Sequence, residues 1–299
     1  MKKTIISHFY NEEHLLPWWL NHHKQIFDHG IMIDYHSTDR SMEIIREICP
    51  DWEIRYTRNK YFDSTPIDLE VMDIEKELEG WRMCLNTTEF LYGNMSHLDD
   101  RTEPTQYFVG NYVFVDMEDE TKGPLTLSHD RPLHEQRYWG YNDTANRGNR
   151  MSAGSMARMN RSIHNFPVKY DGGRHWPSTD RSFEDLVIFY YGYADISDAG
   201  IKRKTQIKTK ISEHGHPHTY NEDGYLGQYR SDQQPKAQDL KEFVNGIFEA
   251  QQRSLGNTTT AFEPTQINTE ELAVTSESIV VEELATESKL IQAEPRTVG

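Results

Sequence analysis

Polar side chains that can take part in ligand chemistry follow three apolar segments in the first third of the chain. Carboxylates can transfer protons or hold a cation, and amides and hydroxyls can bind a polar ligand. The three groups are Asn11 with Glu12, then Asp34 with Ser37 and Asp39, and then Asn86 with Glu89.

A dense group of cations lies later in an otherwise acidic chain, whose formal net charge is −16. Its members are Lys202, Arg203, Lys204, Lys208 and Lys210. The group could bind phosphate through charge-assisted hydrogen bonds, or it could be a solvated helix face. The overall negative charge disfavours nucleic acid and anionic membranes as partners, so we expect no nucleic-acid partner.

The apolar segments alternate with helical patterns. Strands are predicted at 4–9, 31–35, 52–56 and 81–85, and helices at 16–27, 37–48 and 68–79, with Gly30 ending the first helix. This alternation predicts an α/β fold with a mostly parallel sheet flanked by helices. Ligands bind such sheets at the carboxyl ends of the strands, where the three polar groups lie.

The second half of the chain has a less regular pattern. It predicts one or two strands at 106–117, loops over a site at 138–174, a basic helical segment at 201–211 and an amphipathic helix at 237–253. Residues 255–299 are acidic and poor in aromatic side chains, which predicts a disordered C-terminal tail. The sequence therefore divides into 1–100, 101–254 and 255–299.

The order of these motifs resembles the glycosyltransferase family 2-like group of GT-A enzymes. Relatives show an Asn-Glu-rich strand end, a Leu-Pro-x-Trp helix, a strand ending Asp-x-x-Ser-x-Asp and a later strand ending Asp-x-Asp-Glu-Phe. The matching features are Asn11-Glu12, Leu16-Pro17-Trp18, Asp34 with Ser37-Thr38-Asp39, and Glu89-Phe90. The resemblance implies a GT-A-like, Rossmann-related fold, with a nucleotide-sugar-binding half at 1–100 and an acceptor half and C-terminal helix at 101–254.

The same resemblance implies a transferase that moves a sugar from a nucleotide-sugar donor to an unknown acceptor, a glycan or another molecule. A catalytically silent relative that binds a sugar or a partner is the alternative. The implied donor-binding residues are Asn11, Glu12, Asp34, Ser37, Asp39 and Asn86, with Lys202, Arg203 and Lys204 as a diphosphate clamp. An ordinary helix cap is the other interpretation of Asp39.

One motif departs from the pattern of the relatives. They carry two aspartates where this chain has Asn86 and Thr88, and those aspartates hold a divalent cation, Mn or Mg, against the donor diphosphate. Glu89 is the one anion left, so the resemblance implies a catalytic or metal-binding role for Glu89, with His175 as a second metal ligand. A salt bridge at Glu89 and a structural role for His175 are the other interpretations. The metal is held differently, cations replace it, or activity is lost.

Two further questions stay open at the level of sequence. The general base is not identified, and its candidates are Glu135, Asp171, Asp180 and Glu184. A metal-dependent hydrolase is disfavoured, because no His-Glu-x-x-His spacing occurs. Only two cysteines are present, and no apolar stretch approaches the roughly 20 residues of a membrane helix, so we expect a cytoplasmic protein without a membrane span.

Overall fold

The first four strands form the parallel part of the sheet. The computed structural model describes residues 1–98, 101–143, 161–170, 173–174, 182–215 and 220–256. The four strands are β1 (Lys3–Phe9), β2 (His29–Asp34), β3 (Glu53–Tyr56) and β4 (Trp81–Cys84). β1 pairs in parallel with both β2 and β4, and β2 pairs in parallel with β3. The strand order therefore reverses beside β1, between β2 on one side and β4 on the other.

Three helices connect these strands, namely α1 (Leu16–His23), α2 (Ser41–Ile48) and α3 (Ser64–Glu75). α1 buries Leu16, Trp19 and Leu20 in the main hydrophobic core. Pro17 lies in the first turn of α1, where its missing N–H costs no helical hydrogen bond. The predicted α/β fold, with parallel N-terminal strands flanked by helices, is confirmed.

The second half of the sheet is mixed. Its strands are β5 (Glu89–Gly93), β6 (Gln106–Val115), β7 (Trp139–Asn142), β8 (Arg161–His164), β9 (Ser182–Tyr193) and β10 (Gln238–Asp239). β8 pairs antiparallel with both β4 and β6, and β9 pairs antiparallel with β5 and parallel with β6. The sheet as a whole is therefore mixed: its N-terminal strands are parallel as predicted, and β8 joins them with reversed direction.

Four α-helices follow in the described part of the chain. They are α4 (Leu133–Gln136), α5 (Asp198–Gln206), which a 3₁₀ turn at Ile207–Lys210 extends, α6 (Glu222–Gln228) and α7 (Lys241–Ser254). α7 buries Val244 and packs Phe243 and Phe248 against the core. It starts four residues later than predicted, because β10 pairs with β7 just before it.

Three local predictions are corrected by the structure. Gly30 lies inside β2 and does not end α1; a Cβ atom there would stand 2.1 Å from Cε3 of Trp52, so the strand needs glycine for packing. The segment 138–174, predicted as loops, contains β7 and β8. β5 follows directly after the polar group at 86–89 and was not predicted.

No helix within the described ranges combines the length and apolar character needed to cross a membrane. The predicted acidic tail at 255–299 lies outside the described residues from residue 257 onward.

Candidate functional site

A cleft of about 750 Å³ opens beside the carboxyl ends of β1 and β4. Residues that follow these two strands, Glu12 and 86–89, line it together with the start of α3 and the end of α5. This is where the strand order reverses, and open α/β sheets bind ligands at such points. The volume falls within the range of about 300–1,000 Å³ that is usual for small-molecule sites.

The segment 86–89 forms a tight turn that α1 holds in place. The backbone N–H of Glu89 donates to the carbonyl of Asn86 at 2.9 Å. The indole N–H of Trp19, which is fully buried, donates to the carbonyl oxygens of Asn86 at 3.1 Å and Glu89 at 2.9 Å. The tryptophan of α1 thereby fixes both ends of the turn on the cleft wall.

Glu89 forms a buried ion pair with Arg161 of β8. Arg161 donates from Nη2 to Glu89 Oε1 at 2.7 Å and from Nε to Oε2 at 2.9 Å. The backbone N–H of Asn86 donates to the same Oε2 at 2.7 Å. Burial alone would raise the pKa of Glu89, but the Arg161 guanidinium outweighs burial and holds that pKa below its ordinary value. Glu89 is therefore ionised, and its charge is neutralised by Arg161.

Arg174 lines the cleft, and the residue before it, Gly173, is held through both its N–H and its carbonyl. The N–H of Gly173 donates to Asp68 Oδ2 at 2.8 Å, and Arg161 Nη1 donates to the carbonyl of Gly173. Arg174 has a φ of 62°, in the left-handed region, and its Nη2 donates to Asn86 Oδ1. Its guanidinium is buried and lines the cleft next to the 86–89 turn.

Glu12 and Arg203 form a second ion pair that lines the cleft. Arg203 of α5 donates from Nη1 to the carboxylate of Glu12, at 3.1 Å from Oε1. Burial raises the pKa of Glu12, and the neighbouring Arg203 partly offsets that rise. Lys204 lies beside this pair with its Nζ 5.5 Å from the centre of the Tyr220 ring. Burial, with a smaller contribution from Arg203, lowers the pKa of Lys204 to about 8.

The charges that line the cleft favour an anionic ligand. Arg161, Arg174, Arg203 and Lys204 outnumber the carboxylates Glu12, Asp63 and Glu89 among the described lining residues. Positive groups gathered in a partly enclosed cleft attract anions more strongly than the same charges on an open surface. The cleft therefore carries a local positive excess in a chain whose net charge is −16.

Several solved structures resemble this chain at low identity. A structure of TarS residues 1–349 from S. aureus has a TM-score of 0.31 and 11% identity, and covers 78% of this chain and 73% of that chain. The same TarS fragment in complex with UDP-GlcNAc has a TM-score of 0.28 and 15% identity, covering 77% and 73%. Mannose-1-phosphate geranyltransferase from Thermus thermophilus has a TM-score of 0.27 and 8% identity, covering 83% and 68%.

No protein-family model and no curated protein matches the sequence. The structural likenesses, with TM-scores of 0.31 or lower, assign neither a family nor an activity.

Five of the predicted donor-binding residues do not line the cleft, and three of these five connect two loops. Asn11 Oδ1 accepts from the N–H of Thr38 at 2.7 Å, and Ser37 Oγ accepts from the N–H of Asn11 at 3.0 Å. Asp39 Oδ2 accepts from the N–H of Glu13 at 3.0 Å. These side chains connect the loop after β1 to the loop after β2.

The fourth, Asp34, is buried at the end of β2, where its Oδ1 accepts from the N–H of Ser37 at 2.9 Å. It stabilises the turn after β2 and does not line the cleft. Lys202 on α5 also does not line the cleft, in contrast to Arg203 and Lys204.

The predicted metal site does not fit the geometry of the 86–89 turn. Both oxygens of Glu89 accept from Arg161, and Asn86 Oδ1 accepts from Arg174. Mn²⁺ and Mg²⁺ prefer several oxygen ligands, and a positive guanidinium already occupies the space beside each of these oxygens. Across the described ranges, no group of three His, Cys, Asp or Glu side chains could hold a metal ion. His175 lies outside the described residues.

Glu135 is the one candidate base whose side chain lies among the described residues, and it does not line the cleft. Glu135 lies on α4, where its side chain is partly exposed and 3.7 Å from Arg131. Asp171 and Asp180 lie outside the described residues, as does the side chain of Glu184.

Sequence reasoning missed Arg161 and Arg174. Arg161 begins the short segment Arg161-Ser162-Ile163-His164, which holds one apolar residue and shows no alternating pattern. The sequence therefore carries no local signal for a strand at Arg161.

Proposed function

We propose that the cleft binds a nucleotide sugar and that the protein transfers the sugar to an acceptor hydroxyl. The observation that carries this proposal is the positive excess at the point where the strand order reverses. Arg174, Arg203 and Lys204 all line the cleft, so a diphosphate bound there would meet several cations. The N-terminal part of the chain, 1–100, would supply the floor and the part 101–254 most of the cations.

The chemistry of glycosyl transfer explains why such a cleft suits the reaction. The bond between the anomeric carbon and the diphosphate lengthens in a transition state that resembles an oxocarbenium ion. Negative charge develops on the leaving diphosphate as that bond breaks. Fixed cations at that position stabilise the transition state more than the ground state, which lowers the barrier. Arg203 is held in place for this role by its pair with Glu12.

The acceptor hydroxyl must lose a proton during transfer. Glu89 was the predicted catalytic carboxylate, but its low pKa and its pair with Arg161 make it a poor base. We assign Glu89 a positioning role in the 86–89 turn. The same observation favours the second candidate function, a catalytically silent protein that binds a nucleotide sugar in this cleft.

Thermal-shift measurements with nucleoside diphosphates and their sugars test the proposal. A ligand that binds the native state raises the melting temperature by mass action. Lys204→Met should reduce the rise, because it removes a cation from the cleft. Lys202→Met is the matched control, because Lys202 lies two residues earlier on the same helix and does not line the cleft. No rise with any of these ligands would contradict the proposal.

Turnover then separates the two candidate functions. A transferase releases nucleoside diphosphate from the nucleotide sugar that gives the largest thermal shift, and release should increase when a hydroxyl-bearing acceptor is added. A silent binding protein gives the same thermal shift without release of nucleoside diphosphate.

A further inference from the structure

Two buried arginines stand where the family that this sequence resembles places a metal ion. We infer that Arg174 takes over the work of the divalent cation, and that the cleft binds the diphosphate of its ligand directly through the Arg174 guanidinium. Arg161 acts through Glu89, by neutralising that carboxylate. This inference rests on the proposed nucleotide binding and specifies how the anion is held.

Glu89 is withdrawn from metal binding by its own contacts. Each of its two carboxylate oxygens accepts a hydrogen bond from Arg161, at 2.7 and 2.9 Å, and one also accepts from the N–H of Asn86 at 2.7 Å. A divalent cation at Glu89 would have to displace a guanidinium that is itself buried. The displaced guanidinium would stay buried and would lose the Glu89 carboxylate as its compensating charge, which is strongly unfavourable.

The residue before Arg174, Gly173, is held in place through both its N–H and its carbonyl. Asp68 accepts from the N–H of Gly173, and Arg161 donates to the carbonyl of the same residue. Arg174 adopts a left-handed backbone conformation, with a φ of 62°, which is costly for a residue with a side chain. Such conformations persist where the surrounding contacts fix them, and they cluster at binding sites.

The guanidinium of Arg174 has donor capacity left for a ligand. Its Nη2 donates to Asn86, while its buried Nε has no hydrogen-bond partner among the residues that the structure describes. A guanidinium carries several N–H donors, so the contact with Asn86 leaves others for a phosphate oxygen in the cleft. The planar fork of arginine also matches the geometry of two phosphate oxygens.

Calorimetric titration of the full chain tests this inference. The probes are UDP, GDP, CDP, ADP and inorganic pyrophosphate, each titrated in EDTA and again in excess Mn²⁺. We expect at least one probe to bind with the same Kd in both conditions. Arg174→Met should weaken that binding by about 10- to 100-fold, the usual effect of losing a hydrogen bond to a charged group. Arg174→Gln tests the same contact with a neutral polar side chain.

Arg253→Met is the control, because Arg253 is an exposed arginine on α7 whose side chain is 70% accessible. It should leave the Kd unchanged. Binding that is lost in EDTA, restored by Mn²⁺ and unaffected in both Arg174 variants would overturn the inference and leave the proposed function standing. Absence of binding of every probe in both conditions would overturn the inference together with the proposed function.

Discussion

The ion pair between Arg161 and Glu89 should make a large contribution to stability that depends on both partners. The side chains are 5% and 8% exposed, so replacing Arg161 with Met leaves a carboxylate buried without this cation. Removing one member of a buried pair costs about 3–5 kcal/mol. For a domain of this size, a loss of that magnitude lowers the melting temperature by roughly 6–20 °C.

The destabilising effects of removing the two charges should also be strongly non-additive. Arg161→Met with Glu89→Gln removes both charges, so the double variant should be less destabilised than the sum of the single variants by about 1–3 kcal/mol. Urea unfolding of the four proteins in the cycle measures this difference. A cost below about 1 kcal/mol for Arg161→Met would refute the interpretation that Glu89 depends on this partner.

The pH dependence of the variant gives a second signature. In the native protein the pKa of Glu89 is lowered, so its contribution to stability is present above the unfolded pKa and is lost as the pH falls through the folded pKa. Without Arg161, only the N–H of Asn86 and the charge of Arg174 oppose burial, so the pKa of Glu89 rises above its native value. A buried carboxyl with a raised pKa destabilises the folded state once it ionises as the pH rises. Arg161→Met should therefore be more destabilised at about pH 8 than at about pH 5. An equal deficit at both pH values would contradict this account.

Three further predictions concern residues around the cleft. The pKa of Lys204 is about 8, so Lys204 becomes neutral between about pH 7 and pH 9. Over that range the native protein should lose roughly tenfold in diphosphate affinity, measured by calorimetry. The affinity of Lys204→Met should not change over the same range. Trp19→Phe removes the N–H that holds both ends of the 86–89 turn. Urea unfolding should show a cost of about 1–3 kcal/mol, and the Kd for diphosphate should rise. An unchanged Kd would mean that the turn does not form the site. Asp34→Ala removes the hydrogen bond to the N–H of Ser37 and should cost about 1–2 kcal/mol with diphosphate affinity preserved, and a tenfold loss of affinity would return Asp34 to the binding site.

The sequence was most informative where one local signal was enough. Each of the first four strands is a short, largely apolar run bounded by turn residues, and the structure contains all four. Gly30 was misassigned because glycine is typical both of a helix end and of a close approach inside a strand. Only the contact with Trp52, 22 positions later, distinguishes the two.

The cleft itself depends on pairings between distant parts of the chain. Glu12 meets Arg203 and Glu89 meets Arg161 across sequence separations of 191 and 72 residues. The antiparallel pairing of β8 with β4 brings Arg161 to the 86–89 turn, and nothing local to Arg161 specifies that register. Asp34 and Asp39 are residue types expected of a ligand site at a strand end. They lie at and after the end of β2, however, and β2 is on the other side of β1 from β4.

A crystal structure of the protein with the nucleoside diphosphate that binds most tightly tests the central claim most directly. We predict that the diphosphate oxygens lie within hydrogen-bond distance of Arg174 and of Arg203 or Lys204. Glu89 should remain paired with Arg161 in that complex. A nucleotide bound beside Asp34 and Asp39, or a metal ion bridging the diphosphate to Glu89, would contradict the account.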